Sequence, residues 1–238
     1  MKQVSVITGG GSGIGRASGL ALAAAGHHVV FCGRTLETLT DSVHLAGSGE
    51  ALVLDVTDED AVNAVFAGLD RVDVLVNSAG VFGPQQPIAE TTLADFTTTM
   101  TVNVTGSFLC AKAAMSIMSK QGGGRIINIG SISGQVPRPQ ATPYSASKFA
   151  INGLTRSLAL EGRSQNIAVG QLDIGNAETA MTSGFDGALQ SDGSRRPEPK
   201  FDVRHVGSTV AHIAALPLEV SVPFLTIMAT GMPLLGRG

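Results

Sequence analysis

The chain has 238 residues, 43% of them apolar and 15% charged, with 30 glycines and a formal net charge of −3. This apolar fraction excludes a disordered chain, and there is no apolar run of about 18 residues to cross a membrane. A slightly acidic balance with no Lys/Arg block argues against nucleic acid or an anionic membrane as partner.

Length predicts one domain over residues 1–238, enough for a substantial core without disulfides. Residues 3–8 predict a strand, 14–25 an alanine-rich helix, 28–32 a strand, 35–45 a helix and 51–55 a third strand. A helix over 58–69 and a strand over 72–76 follow. Residues 91–120 suit two helices with a break near Asn103, and 125–130 reads as a strand. A helix over 143–162 would be capped by Thr142, with Pro143 at its first position. Strand 167–172, helix 203–215 and strand 222–229 complete the alternation. Apolar strands separated by helices predict an α/β fold: a Rossmann-like, doubly wound three-layer sandwich on a parallel sheet. Residues 182–202, rich in glycine, proline and charge, lack periodicity and suit either a mobile surface loop or a substrate lid.

The N-terminal MKQVSVITGGG runs into glycines too soon for a secretory signal. Cys32 and Cys110 lie in apolar stretches and read as buried thiols of a reducing compartment, so a cytoplasmic protein is expected. His27, His28, His44, His205 and His212 have no metal-ligand spacing, and no metal site is expected.

Thr8-Gly9-Gly10-Gly11-Ser12-Gly13-Ile14-Gly15 joins the first strand to the first helix. Glycines there let the backbone turn tightly and approach a pyrophosphate at the positive end of the helix, so this loop predicts dinucleotide binding. Tyr144 and Lys148 are four residues apart on a predicted helix and share a face. An ammonium beside the phenol favours phenolate, which would lower the tyrosine pKa and supply a proton donor or acceptor near neutral pH. Ser131, at the tip of strand 125–130, could bond to a carbonyl or alcohol oxygen; Ser133 is a second candidate.

These motifs resemble the short-chain dehydrogenase/reductase family of the classical type, along nearly the whole chain. TGxxxGxG matches Thr8 to Gly15, YxxxK matches Tyr144 to Lys148, and NNAG appears as Asn77-Ser78-Ala79-Gly80. The resemblance implies a sheet of seven parallel strands in the order 3-2-1-4-5-6-7. It also implies a catalytic tetrad of Asn103, Ser131, Tyr144 and Lys148. Tyr144 would be the acid/base, Ser131 would orient the substrate oxygen, Lys148 would hold the nicotinamide ribose, and Asn103 would support a water relaying protons to Lys148. Asp55 beside Val56 matches the adenine-contacting aspartate, and Gly175 and Thr179 match the segment near the nicotinamide, with Ile174 in place of a proline.

The second strand ends Gly33-Arg34 without the acid that favours NAD; a guanidinium suits the 2′-phosphate of NADP. NADP(H) is therefore favoured, with NAD(H) possible. The expected reaction interconverts a small carbonyl compound and its alcohol. The alternative is a catalytically silent dinucleotide-binding scaffold. Relatives of this type form dimers or tetramers, and the tail Met232–Gly238, which lacks the family's usual ending, is a candidate subunit contact. Residues 81–90, 134–142 and 182–202 are expected to line the substrate pocket, with Phe82, Phe185 and Phe201 available to it. Arg138, Gln140, Arg195 and Arg196 read mainly as solvated loop charges.

Overall fold

The computed structural model describes residues 2–190, 193–232 and 234. The chain starts with β1 (Val4–Thr8), α1 (Gly13–Ala24), β2 (His28–Gly33), α2 (Leu36–Ala46), β3 (Glu50–Val53), α3 (Glu59–Ala67) and β4 (Val74–Asn77). It continues with α4 (Leu93–Met100), α5 (Gly106–Gln121), β5 (Gly124–Ile129), α6 (Thr142–Gly162) and β6 (Ile167–Gly175). A short ribbon of β7 (Ala188–Leu189) and β8 (Arg195–Arg196) precedes α7 (Arg204–Ala215) and β9 (Phe224–Met228).

Seven strands form one parallel sheet in the order β3-β2-β1-β4-β5-β6-β9. This is the expected order, with β9 in seventh place because the ribbon intervenes. Central strands are apolar along their length because both faces are covered: Ile7, Val29 and Leu172 pack with Leu22, Leu39 and Val210 on the side of α1, α2 and α7. Val6, Leu75 and Val169 pack with Phe66, Leu109 and Leu158 on the side of α3, α5 and α6. The chain order reverses at β1, which pairs with β2 on one side and β4 on the other. A crevice opens at that switch point, beyond the carboxyl ends of the strands.

Local chemistry sets the element ends. Asp58 caps α3 by accepting from Ala61 N at 3.0 Å, and Gly47 ends α2 at φ 74°. Thr142 does not cap α6. Ala141 occupies that position, and its carbonyl accepts from Ser145 N at 2.9 Å, leaving Thr142 inside the helix. No gap separates α4 from α5 either: Thr101–Thr105 forms a π-helical turn with Asn103 at its centre, so the expected break is a widening of one continuous helix. β6 runs three residues beyond the expected 172 because β9 pairs with it as far as Gly175.

Within 182–202 the described residues are not a structureless loop: a 3-10 segment over Ala180–Gly187 leads into the β7–β8 ribbon. Residues 191–192, the side chain of Phe185, and positions 233 and 235–238 of the proposed contact tail lie outside the described residues.

Candidate active site

The glycine loop between β1 and α1 turns with φ values of 66° at Gly9 and 49° at Gly13, which a glycine adopts without strain. A side-chain carbon on Gly15 would lie 2.7 Å from the Gly9 carbonyl carbon, so helix and loop can meet only without one. Arg16 braces the turn, donating to the Gly11 carbonyl at 2.5 Å and to Ser42 Oγ at 2.9 Å; Ser42 in turn donates to the Gly10 carbonyl at 2.8 Å. Ser12 is the N-cap of α1 without a side-chain cap bond, so the positive end of this helix is open to an anion.

Beyond this loop lies a cleft of about 380 Å³. Gly9, Gly11, Ser12, Gly13, Ile14, Gly15, Gly33, Arg34, Asp55, Val56, Ala79, Gly80 and Thr179 all line it, as expected from sequence. Thr35, Thr38, Val81, Val102 and Met181 line it too, although no motif pointed to them. Thr8, Asn77 and Gly175 do not line it. Thr8 Oγ1 accepts from Ser78 N and Ala79 N at 3.0 and 3.1 Å, which docks the NNAG-like turn against β1. Asn77 is buried and donates to the Ser107 carbonyl and Asn128 Oδ1, and Gly175 packs beside Met228 and Met232. Asp55 accepts from Thr57 N and Oγ1, which holds its carboxyl below the usual carboxylate range. The glycine cradle, the open helix end and an arginine at the β2 tip fit a nicotinamide dinucleotide.

A smaller cavity of about 60 Å³ adjoins the cleft, sharing Ile14, Thr179 and Met181 with it; Ser131, Ser133, Tyr144, Phe82 and Arg138 are in its wall. Tyr144 is half-buried, its ring 4.6 Å from that of Phe82 and tilted 30°. Ser131 stands in the same cavity wall as its hydroxyl-bearing ring. Both candidate serines line this cavity, and Ser133 donates its backbone N–H to Ser131 Oγ at 3.1 Å, fixing the Ser131 hydroxyl oxygen in the turn. Lys148 Nζ lies 5.6 Å from the Tyr144 ring centroid and donates to the Ile129 carbonyl at 2.8 Å. Asn103 exchanges bonds with the backbone of Val81 at 2.8 and 2.9 Å and donates to Ser147 Oγ at 2.9 Å, tying the π turn to α6.

Electrostatics corrects one expectation. Burial raises the Tyr144 pKa above 10, outweighing the lowering effects of the Ser131 hydrogen bond and the Arg138 charge; Asp173 adds to the rise. Burial also pulls Lys148 down, to about 8, with Asp173 opposing. Taking a phenol or an amine out of water disfavours its charged form.

A second correction concerns Arg138. It is not a solvated loop charge: its side chain is 10% exposed and ion-paired with Glu198, 6% exposed. Asn176 Nδ2 donates to the same carboxylate at 2.8 Å, so residue 198 is fastened to the site. Arg195 and Arg196 are exposed, and Arg195 donates to the Gly187 carbonyl at 3.0 Å. Phe201 packs into the apolar cluster near Ala229 and Met232. Sequence reasoning missed Glu198, Arg16 and Ser42 because each works through a partner distant in sequence.

Residues 3–188 match the family model described as short chain dehydrogenase. Sulfoacetaldehyde reductase 2 of Chromohalobacter salexigens is 34% identical over 247 aligned positions, covering 97% of this chain and 95% of that protein. Among solved structures, an actinorhodin polyketide ketoreductase with NADPH superposes with a TM-score of 0.85 at 29% identity, covering 96% of each chain. A metagenomic short-chain oxidoreductase in complex with NADP does so with a TM-score of 0.81 at 27% identity, over 96% of this chain and 97% of that one. Among the described residues no helix is long and apolar enough to cross a membrane.

Proposed function

The chain belongs to the short chain dehydrogenase family and is a nicotinamide-dependent oxidoreductase of the CH–OH group; from that premise we propose that it interconverts a small carbonyl compound and its alcohol with NADP(H) in preference to NAD(H). One observation carries the reading: Tyr144 and Ser131 share the wall of a cavity that has Ile14, Thr179 and Met181 in common with the glycine-loop cleft. The bound coenzyme supplies or accepts the hydride, two electrons and a proton, at the substrate carbon. In reduction Tyr144 donates the proton that the substrate oxygen gains, and in oxidation it accepts the one the alcohol loses. Ser131 orients that oxygen. Lys148 holds the ribose beside Tyr144, and its charge offsets the phenolate formed when the proton leaves. Asn103 holds the π turn against α6, keeping Val81 and Ser147 in register with the site. Arg34 stands at the β2 tip for the 2′-phosphate.

The small cavity suits a compact group beside the carbonyl. We place the protein in the cytoplasm as a homo-oligomer, a dimer or tetramer, which light scattering on the purified chain checks. The test of function follows NADPH absorbance with a panel of aldehydes, ketones and quinones, beside Tyr144→Phe. Turnover should fall by about 10²–10⁴-fold on loss of the hydroxyl. Full activity in that variant would remove Tyr144 from the acid/base role.

A further inference from the structure

Beneath the site runs a line of buried hydrogen bonds whose donors all point one way. Asn77 Nδ2 donates to Asn128 Oδ1 at 3.0 Å, Asn128 Nδ2 to Thr155 Oγ1 at 2.9 Å, and Thr155 Oγ1 to Gln171 Oε1 at 2.9 Å. Gln171 Nε2 then donates to Asp173 Oδ1 at 2.7 Å. The line crosses from β4 through β5 and α6 to β6 and ends on a carboxyl group. Bonds so aligned polarise one another toward the terminal acceptor.

Asp173 is 1% exposed. Besides Gln171, it accepts from the Ser131 backbone N–H at 3.0 Å and from Gln135 Nε2 at 2.8 Å, and it donates none of these bonds. Acceptance alone is the pattern of an ionised carboxyl. The neighbouring chain makes room for it, since a side-chain carbon on Gly130 would overlap Asp173 Oδ1. A buried carboxylate is costly unless several donors satisfy it, and here they come from β6 and from the two ends of the turn that follows β5. One of them is the backbone of Ser131, which shares the cavity wall with Tyr144.

We propose that Asp173 is a positioning residue for the catalysed reaction, holding the Ser131 turn in place and biasing the charge balance around Tyr144 and Lys148. The inference rests on the role assigned above to Tyr144. Charged groups facing the phenol are Lys148 on its own helix, Arg138 from the preceding loop with Glu198 behind it, and Asp173 from β6. Among these carboxylates Asp173 bonds directly to the backbone of Ser131, beside the phenol in the cavity wall. Its negative charge makes a phenolate less favourable and the Lys148 ammonium more so. The acid is thereby held in its proton-bearing form, ready to donate, until the coenzyme and substrate change the surroundings.

The sequence contains one tyrosine and no tryptophan, so the tyrosinate absorbance band of the whole chain reports Tyr144 alone. Asp173→Asn keeps the shape and removes the charge; the exposed Gln135 amide can turn to offer its oxygen to the new donor. The Tyr144 titration should then move to lower pH by about one unit. The pH profile of alcohol oxidation should move the same way. If Asp173→Asn does not fold, Gln135→Leu is measured instead: with one donor lost, the carboxylate is less compensated and the titration should move up. A Tyr144 titration that stays in place in the folded variant would overturn the proposal, even if turnover dropped. The titration needs no substrate, so its failure is distinct from a failure of the substrate screen, which would count against the oxidoreductase reading of the site.

Discussion

Gly15→Ala tests whether the glycine loop is shaped for a coenzyme or merely for a turn. The added carbon would sit 2.7 Å from the Gly9 carbonyl carbon, 0.3 Å inside the 3.0 Å that real side-chain carbons keep, and nearer still to the oxygen. Both neighbours are backbone, so no rotamer change relieves the overlap. Nor can Gly9 recoil freely toward the NNAG-like turn, because even a single carbon built on it would come within 3.0 Å of Ala79 N. Overpacking of this kind costs about 1–3 kcal/mol. If it falls on the coenzyme-binding shape of the loop, NADPH binding weakens by about 5- to 150-fold, measured by calorimetric titration. The coenzyme-free chain should also melt lower, by roughly 2–4 °C per kcal/mol. Gly68→Ala is the control. That glycine has φ −80° and ψ −4°, and an added carbon meets nothing nearer than 3.5 Å, so the substitution should stabilise by about 0.4–1 kcal/mol. A Gly15→Ala chain that binds NADPH within about twofold of the parent and melts at the same temperature would refute the steric reasoning.

Two other outcomes follow from the site. Arg34→Glu should reduce the ratio of kcat/KM with NADPH to that with NADH by about 10- to 150-fold, the worth of charge-assisted bonds to a phosphate; an unchanged ratio would put Arg34 outside the coenzyme site. Burial lowers Lys148 to about 8 from 10.5, so between those values the unfolded chain holds a proton that the folded chain has released. Unfolding free energy should therefore climb as pH rises through this window, by up to about 3 kcal/mol from this group, and the climb should vanish in Lys148→Met. Denaturant melts of the coenzyme-free chains across the window check it, and parallel pH profiles for the two would contradict it.

Periodicity and spacing alone determined the alternation of strands and helices, the glycine loop and the shared face of Tyr144 and Lys148. These are local properties: glycine tolerates φ of 66° whatever surrounds it, and residues four apart on a helix meet in any fold. Boundaries were less legible. Whether Thr142 or Ala141 begins α6, and how far β6 extends, depends on pairing with Ser145 and with β9. Tertiary structure alone decided the direction of the Tyr144 shift, because burial and the charges of Arg138 and Asp173 come from segments that the YxxxK motif does not contain. It also converted Arg138 from a solvated charge into the partner of Glu198, sixty residues away, and brought Asp173 under Ser131. Long-range electrostatics depends on distance and dielectric in three dimensions, and neither is written in the spacing of residues along a chain.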